Sequence, residues 1–175
     1  STVLILFAAF SASAVGAEAG TVFSYEVNSP LDAADLASLA GNGRCELREA
    51  VESANTGEDV DTCAWNFGHY SIYAREPIRL VAPLVVTGNL DLYNPSSTDT
   101  SVIDGQASTH HFIVEPGGEL SLRNIELIDG YNEEGAGSIH SRGTLYLRDT
   151  ILAYNQGTEG GALNLAGPFY IDNTL

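Results

Sequence analysis

Acidic residues recur at matching places in the second half of the chain, and carboxylate oxygens are the ligands that calcium prefers. Asp104 and Asp129 each stand in an "IDG" tripeptide, and Glu133 and Glu134 follow the second tripeptide. These four residues are the calcium candidates, and no other cofactor is expected. An Asp before Gly is also typical of a turn in which the carboxylate accepts backbone hydrogen bonds. We favour the turn interpretation for both aspartates.

Arginine and tyrosine side chains indicate a second kind of chemistry, the contact with sugars. Arg123 and Arg148 stand at the same place in the matching segments "LSLRN" and "LYLRD", and an arginine column could hold an anionic sugar or act as the base of a lyase. The simpler interpretation of an outward Arg on a strand is a solvated charge or a cross-strand partner. Tyrosine could stack on sugar rings but is also a common strand residue. The tyrosines in question are Tyr70, Tyr73, Tyr93, Tyr131, Tyr146 and Tyr154.

No catalytic residue is assigned from the sequence. It contains no nucleophile elbow, phosphate loop or H-E-x-x-H motif. The histidines do not stand at metal-ligand spacings; they are His69, His110, His111 and His140. His140 aligns with Asn164 of the next repeat, which indicates an ordinary polar position.

Two cysteines, Cys45 and Cys63, lie 18 residues apart. Two thiols without neighbouring histidines make a poor zinc site. In an exported protein the expected outcome is one disulfide. A bridge over a loop of this length contributes about 3 kcal/mol in the chain-entropy model.

The chain is strongly acidic, with 23 Asp and Glu against 7 basic residues and a net charge of −16. All the basic residues are arginines. Such a surface repels phosphate backbones and anionic lipids, which argues against nucleic-acid binding and peripheral membrane attachment. Salt water, divalent cations and neutral glycans remain compatible with it, as does a plain acidic, soluble surface.

The first segment, "STVLILFAAFSASAVGAEAG", predicts the remnant of a secretory signal peptide over 1–19, cleaved after Ala19 or Ala17. The alternatives are a buried helix or a membrane anchor, for which the apolar run is short. No other segment is apolar enough to cross a membrane. We therefore expect an exported mature chain without a transmembrane span.

A repeat of about 24 to 25 residues organises the second half of the chain. Gly118, Gly143 and Gly167 head three copies, at spacings of 25 and 24. Gly130 and Asn155 also coincide, and both residue types accept a left-handed backbone. Three further rows align in the same way. They are Leu120, Leu145 and Phe169; Leu122, Leu147 and Ile171; and Asn124, Asp149 and Asn173.

Each copy holds short runs of period-two alternation broken by Gly, Asn or Asp, which is typical of β-strands. Coils of this length predict a right-handed parallel β-helix over 81–175, in which the apolar rows stack inward and the Asn/Asp row forms a turn. An antiparallel sandwich or barrel does not require such a period. A leucine-rich repeat has a different signature.

One helix is predicted, over about 45–55, within an N-terminal cap that spans 20–80 together with the first strands. Leu47, Ala50, Val51 and Ala54 recur at helical spacing. The residues assigned to the opposite, polar face are Glu46, Arg48, Glu49, Glu52 and Ser53. Because the open end of a solenoid exposes unpaired backbone groups, the helix is expected to cover that end.

The segment "CELREAVESAN" resembles the Cys-Ser-Leu-Arg-Glu-Ala motif of the CSLREA domain, which is found near the N-terminus of exported bacterial β-helix proteins. It departs at Glu46, where the family usually has Ser, and at Val51, where it often has Ile. "LSLRNIELIDG" and "GGALNLAG" are similar to repeats of pectin-lyase-like and polymorphic outer-membrane proteins. The resemblance covers about 21–175 and implies a secreted or surface protein of the bacterial cell envelope or outer membrane, without an agreed catalytic set.

The expected function is that of a non-catalytic, adhesive or carbohydrate-contacting scaffold, because long solenoids offer extended faces. Its expected partner is an extracellular polysaccharide or a cell-surface glycan. The alternative is a polysaccharide lyase or glycoside hydrolase whose active coil lies beyond residue 175. Fold alone does not separate the two, since one architecture carries many functions.

Overall fold

The structure is a computed structural model that describes residues 25–175. The predicted signal segment, 1–19, lies outside the described residues. A 3₁₀ helix spans Leu36–Ser38 and the helix α1 spans Leu47–Thr56. The strands of the described part are β1 (Glu26–Val27), β2 (His69–Ile72), β3 (Ile78–Arg79), β4 (Leu84–Val86), β5 (Asn89–Tyr93), β6 (Ser101–Asp104), β7 (Phe112–Val114), β8 (Glu119–Arg123), β9 (Ile125–Ile128), β10 (Tyr131–Asn132), β11 (Ile139–Ser141), β12 (Thr144–Arg148), β13 (Ile151–Ala153), β14 (Gln156–Gly157), β15 (Leu163–Leu165) and β16 (Phe169–Asp172).

These strands build a parallel β-solenoid of about four turns, which confirms the predicted β-helix. The first sheet has the order β1-β2-β5-β8-β12-β16. The second sheet has the order β3-β6-β9-β13, and the third has the order β4-β7-β11-β15. A fourth pair joins β10 to β14. Each complete coil therefore contributes one strand to each of the three main sheets.

The apolar rows seen in the sequence lie in register in the first sheet. Leu145 pairs with Leu120 on one side and with Phe169 on the other. Leu147 pairs in the same way with Leu122 and Ile171. The four leucines are buried, because alternate residues of a strand point to the same face and this face is the core. Phe169 and Ile171 are exposed on β16, the edge strand.

The Asn/Asp row forms a corner of the coil. Asn124, Asp149 and Asn173 have φ values of 55°, 49° and 45°, the left-handed region that Asn and Asp accept at low cost. A second left-handed corner was expected at Gly130 and Asn155, and this expectation is wrong by one residue. The left-handed residues there are Asp129 (φ 51°) and Tyr154 (φ 57°).

Asn155 has a different role from the one expected, because its side chain bonds to the preceding coil. Its Oδ1 accepts from the N–H of Gly130 at 2.8 Å, and its Nδ2 donates to the carbonyl of Leu127 at 3.0 Å. These bonds satisfy backbone groups at a point where the chain turns between strands.

Helix α1 covers the N-terminal end of the solenoid. Leu47, Ala50, Val51 and Ala54 are buried in the core, as the spacing predicts. Arg48 forms a bidentate ion pair with Asp32, at 2.7 and 2.8 Å, and also donates to two carbonyls of the segment between β3 and β4. The Cys45–Cys63 disulfide is present, with 4.8 Å between the Cα atoms, which confirms the predicted pairing.

The polar face of α1 is more deeply buried than the pattern predicts. Glu46, Glu49 and Ser53 were assigned to this exposed face, but each has 1% or less of its surface exposed. The segments before and after the helix cover them. Asn42 donates to the carboxylate of Glu46, and Ser53 donates to the carbonyl of Glu58.

Candidate functional site

The two aspartates proposed for calcium do not lie opposite each other. Strands β6 and β9 pair so that Ile103 faces Leu127 and Asp104 faces Ile128. The pairing register of these two strands is set by their buried residues, because a slip of one residue would turn Leu127 away from the core. Asp129 lies one residue farther along, at the left-handed corner.

The other contacts of these residues do not join one candidate to another. Asp104 accepts from the N–H of Gln106 at 2.7 Å and lies 3.7 Å from Nε of Arg79. Glu133 accepts from the hydroxyl of Tyr131 at 3.3 Å, and Glu134 donates its N–H to Asn132. Across residues 25–175, no three His, Cys, Asp or Glu side chains form a group that could hold a metal ion. The four calcium candidates are therefore not brought together.

The outer face of the first sheet gathers the aromatic and charged side chains of the coils. Alternate residues of its strands point away from the core and stack in register, one per coil. The tyrosine row consists of His69, Asp91, Ser121, Tyr146 and Tyr170. The arginine row, two residues farther along each strand, consists of Ser71, Tyr93, Arg123, Arg148 and Asp172.

Two tyrosines of the tyrosine row stack on each other. The ring centroids of Tyr146 and Tyr170 are 4.9 Å apart and their planes differ by 6°. This spacing matches the distance of about 4.8 Å between neighbouring strands. Both rings are exposed, Tyr170 by 61%. The stack is thus an aromatic surface held on rigid strands.

The two arginines that the sequence aligned are direct neighbours in the arginine row, where Arg123 pairs with Arg148. Each guanidinium forms an ion pair with an acid on the side away from the other arginine. Arg123 lies 3.1 Å from Asp91 and sits over the ring of Tyr93, at 5.0 Å from its centroid. Arg148 lies 3.5 Å from Asp172. The acids offset the repulsion between the two like charges.

A charged cluster on this face was missed by sequence reasoning. Nδ1 of His69 lies 2.9 Å from Oδ2 of Asp91, the same oxygen that accepts from Arg123. The Asp91 side chain is 12% exposed, whereas that of His69 is 52% exposed. His69 and Asp91 are paired on neighbouring strands at an offset shorter than the repeat. The matching alternation of "HYSI" and "DLYN" is the signal that could have found this pair.

A depression of about 540 Å³ lies on the same face. Its walls combine the stacked rings with the two guanidinium groups, all carried by paired strands. The outward residues that line it are Ser121, Arg123, Tyr146, Arg148, Tyr170 and Asp172. The surface can therefore offer ring contacts and hydrogen-bond donors to one ligand.

The remaining histidines have structural surroundings. His111 is fully buried, and its Nε2 lies 3.0 Å from the carbonyl oxygens of Ile103 and Ile128. Burial lowers the pKa of His111 to about 4. Burial also lowers the pKa of His110, and the nearby His140 adds to this effect. His140 pairs with Asn164 in the third sheet, as the alignment predicts.

Comparison with known proteins yields no relative: no family model, no curated protein and no solved structure matches the chain. The parallel pairing of strands from successive coils is what defines the fold. Neither helix among residues 25–175 is long and apolar enough to cross a membrane.

Proposed function

We propose that this protein is an exported or cell-surface scaffold that contacts carbohydrate through the outer face of its first sheet, without cleaving it. The observation that carries the proposal is the stack of Tyr146 and Tyr170 beside Arg123 and Arg148 in one depression. A sugar ring has an apolar C–H face and a rim of hydroxyl groups. Tyrosine offers a matching apolar face with a polar tip, and Arg offers a fixed set of N–H donors.

The solenoid geometry suits a long, repetitive ligand. The side chains of the tyrosine row follow one another at about 4.8 Å along the solenoid axis, on a backbone held by inter-coil hydrogen bonds. A rigid face loses little conformational entropy when it binds a ligand, so a small number of weak contacts is enough for measurable affinity. An extracellular polysaccharide or a cell-surface glycan is therefore the proposed partner.

The N-terminal part of the chain supports the proposed export. The segment 1–19 resembles the remnant of a signal peptide. The Cys45–Cys63 disulfide is of the kind that persists in oxidising compartments. The likeness of "CELREAVESAN" to the CSLREA motif supports a role in the bacterial envelope, secreted or attached to the outer membrane.

The test is binding of the whole chain to an array of glycans, followed by titration with the best ligand. The variant Tyr146→Ala/Tyr170→Ala is expected to weaken binding about tenfold or more, since each lost ring contact costs about 1 kcal/mol. Tyr154→Ala is the matched control, because Tyr154 is exposed and belongs to neither row. Absence of binding to any glycan, or an equal loss in the control, would refute the proposal.

A second candidate function is cleavage of a polysaccharide, and the His69–Asp91 pair is the observation that favours it. A carboxylate that holds Nδ1 of a histidine leaves Nε2 free to take up a proton from a substrate. Release of reducing ends or of unsaturated products by the intact chain would support this alternative. His69→Asn should then lower turnover far more than it lowers glycan affinity.

A further inference from the structure

Ser121 follows the two stacked tyrosines in the tyrosine row and has a small side chain. On β8 it lies between Asp91 of β5 and Tyr146 of β12. Tyr170 covers one face of the Tyr146 ring, and the opposite face is directed toward the position above Ser121. Since neighbouring strands are about 4.8 Å apart, Asp91 and Tyr146 stand about 9.6 Å apart along the row.

The gap above Ser121 has the dimensions of one ring. An occupant centred over Ser121 would lie about 4.8 Å from the Tyr146 ring. Tyr170 already stacks on the other face of that ring at 4.9 Å. A saccharide ring in the gap would therefore continue the stack of the two tyrosine rings.

The arginine row supplies the polar contacts for such a ring. Arg123 is drawn toward Asp91 and over Tyr93, and Arg148 is drawn toward Asp172. Neither guanidinium is bonded across the gap. Each has five N–H donors, of which its acid uses only part. Sugar hydroxyl groups next to Tyr146 would thus meet donors from both arginines.

The charges favour a neutral sugar. The two arginines of this site are matched by Asp91 and Asp172, and the chain as a whole carries −16. An anionic sugar would gain little net attraction locally and would meet repulsion within a screening length of about 8 Å from the other acids. The hydroxyl groups of a neutral sugar can accept hydrogen bonds from the arginines and are not repelled by the acidic surface.

From this arrangement we infer that Ser121 is the floor of a subsite for one neutral pyranose ring, stacked on Tyr146 and bonded by Arg123 and Arg148. The inference rests on the proposed carbohydrate-contacting function and specifies its ligand. The subsite requires that no side chain of the protein fill the space above Ser121.

The test is to fill the gap above Ser121 with a larger side chain. Ser121→Tyr places a third tyrosine in the row, and Ser121→Leu fills it with a smaller side chain. Each variant is titrated with cellohexaose, mannohexaose, xylohexaose and trigalacturonate, and its thermal unfolding is compared with that of the unchanged protein. Two controls accompany them: Ser121→Ala keeps the gap open, and Ile113→Tyr adds a tyrosine to an outward position of the third sheet.

We expect the unchanged protein to bind a neutral hexasaccharide in preference to trigalacturonate. Both filling variants should lose about tenfold or more in affinity, whereas both controls should stay within about twofold. Preference for trigalacturonate, or full affinity in the filled variants, would overturn the subsite. Failure of the unchanged protein to bind any glycan would instead refute the proposed function itself.

Discussion

Gly88 and Ala54 are in backbone contact where α1 meets the first full coil: a Cβ atom on Gly88 would overlap the carbonyl oxygen of Ala54. The side chain of Asn55 strengthens this junction, because its Oδ1 accepts from the N–H groups of Thr87 and Gly88. The helix therefore rests on backbone, which cannot rotate away as a side chain can. Gly88→Ala is expected to lower the free energy of unfolding by about 1–3 kcal/mol.

The measurement for Gly88→Ala is urea unfolding, with Gly161→Ala as the matched control. A Cβ on Gly161 would meet only the carbonyl oxygen of Asn155, at 3.5 Å, an ordinary contact. The control should change stability by no more than about 0.5 kcal/mol. Equal losses in the two variants would contradict the role assigned to the junction.

The disulfide should stabilise the cap. Cys45 and Cys63 are joined to each other, so the unreduced protein is expected to show no reactive thiol even in denaturant. Because the bridge restricts the unfolded chain, its reduction should cost about 3 kcal/mol of unfolding free energy. Thiol titration in denaturant, before and after reduction, checks the first point, and urea unfolding of Cys45→Ala/Cys63→Ala checks the second. Two thiols in the unreduced, denatured protein would disprove the pairing.

The inward rows of the first sheet could be predicted from the sequence because stacking repeats the same environment at every coil. Leu120 and Leu145 occupy equivalent sites, so their shared residue type marks the period. The helix and its apolar side follow from the spacing of Leu47, Ala50 and Val51 in the same way.

The register at the corners, and with it the candidate site, could not be predicted. Loops differ in length from coil to coil, so the offset between paired residues changes from one pair of strands to the next. Asp104 accordingly faces Ile128 rather than Asp129, and His69 faces Asp91. Burial of Glu49 was missed because periodicity describes one side of a helix and says nothing of the loops that cover the other. The repeat already places Arg123 beside Arg148, but the other members of the outward rows are found only once all strand pairings are known.

Stability should fall in mildly acidic solution because of His111. The groups that face its ring are the carbonyls of Ile103 and Ile128 and the hydroxyl of Ser138, with the charges of Asp104 and His110 nearby. Burial lowers the pKa of His111 in the folded state to about 4, against 6.5 for the ordinary value. Between these values the unfolded chain binds a proton that the folded chain does not, so stability decreases as pH falls.

The expected loss from His111 between these two pH values is about 3 kcal/mol. The unfolding free energies of the unchanged protein and of His111→Gln are measured at several pH values. Their difference isolates the contribution of His111, because the other titrating groups are the same in both proteins. His140→Gln serves as the control for a histidine that is not fully buried. A difference that does not change with pH would disprove the effect.

Glu49 should act with the opposite sign. Burial, together with a hydrogen bond to the side chain of Glu46, raises the pKa of its carboxyl to about 8, whereas the ordinary value is 4.5. Between these values the folded protein keeps a proton that the unfolded chain has released. The stabilisation that Glu49 gives to the folded protein is therefore complete below pH 4.5 and is lost as the pH rises toward 8.

Glu49→Gln imitates the protonated side chain and keeps an oxygen that can accept from the N–H of Glu46, a bond of 3.1 Å in the structure. The variant is expected to match the unchanged protein near pH 4.5 and to exceed its unfolding free energy progressively toward pH 8. Glu52→Gln, on the same helix but only partly buried, should show no such trend. Urea unfolding across this range provides the measurement, and a gain that is constant with pH would show that Glu49 is ionised in the folded protein.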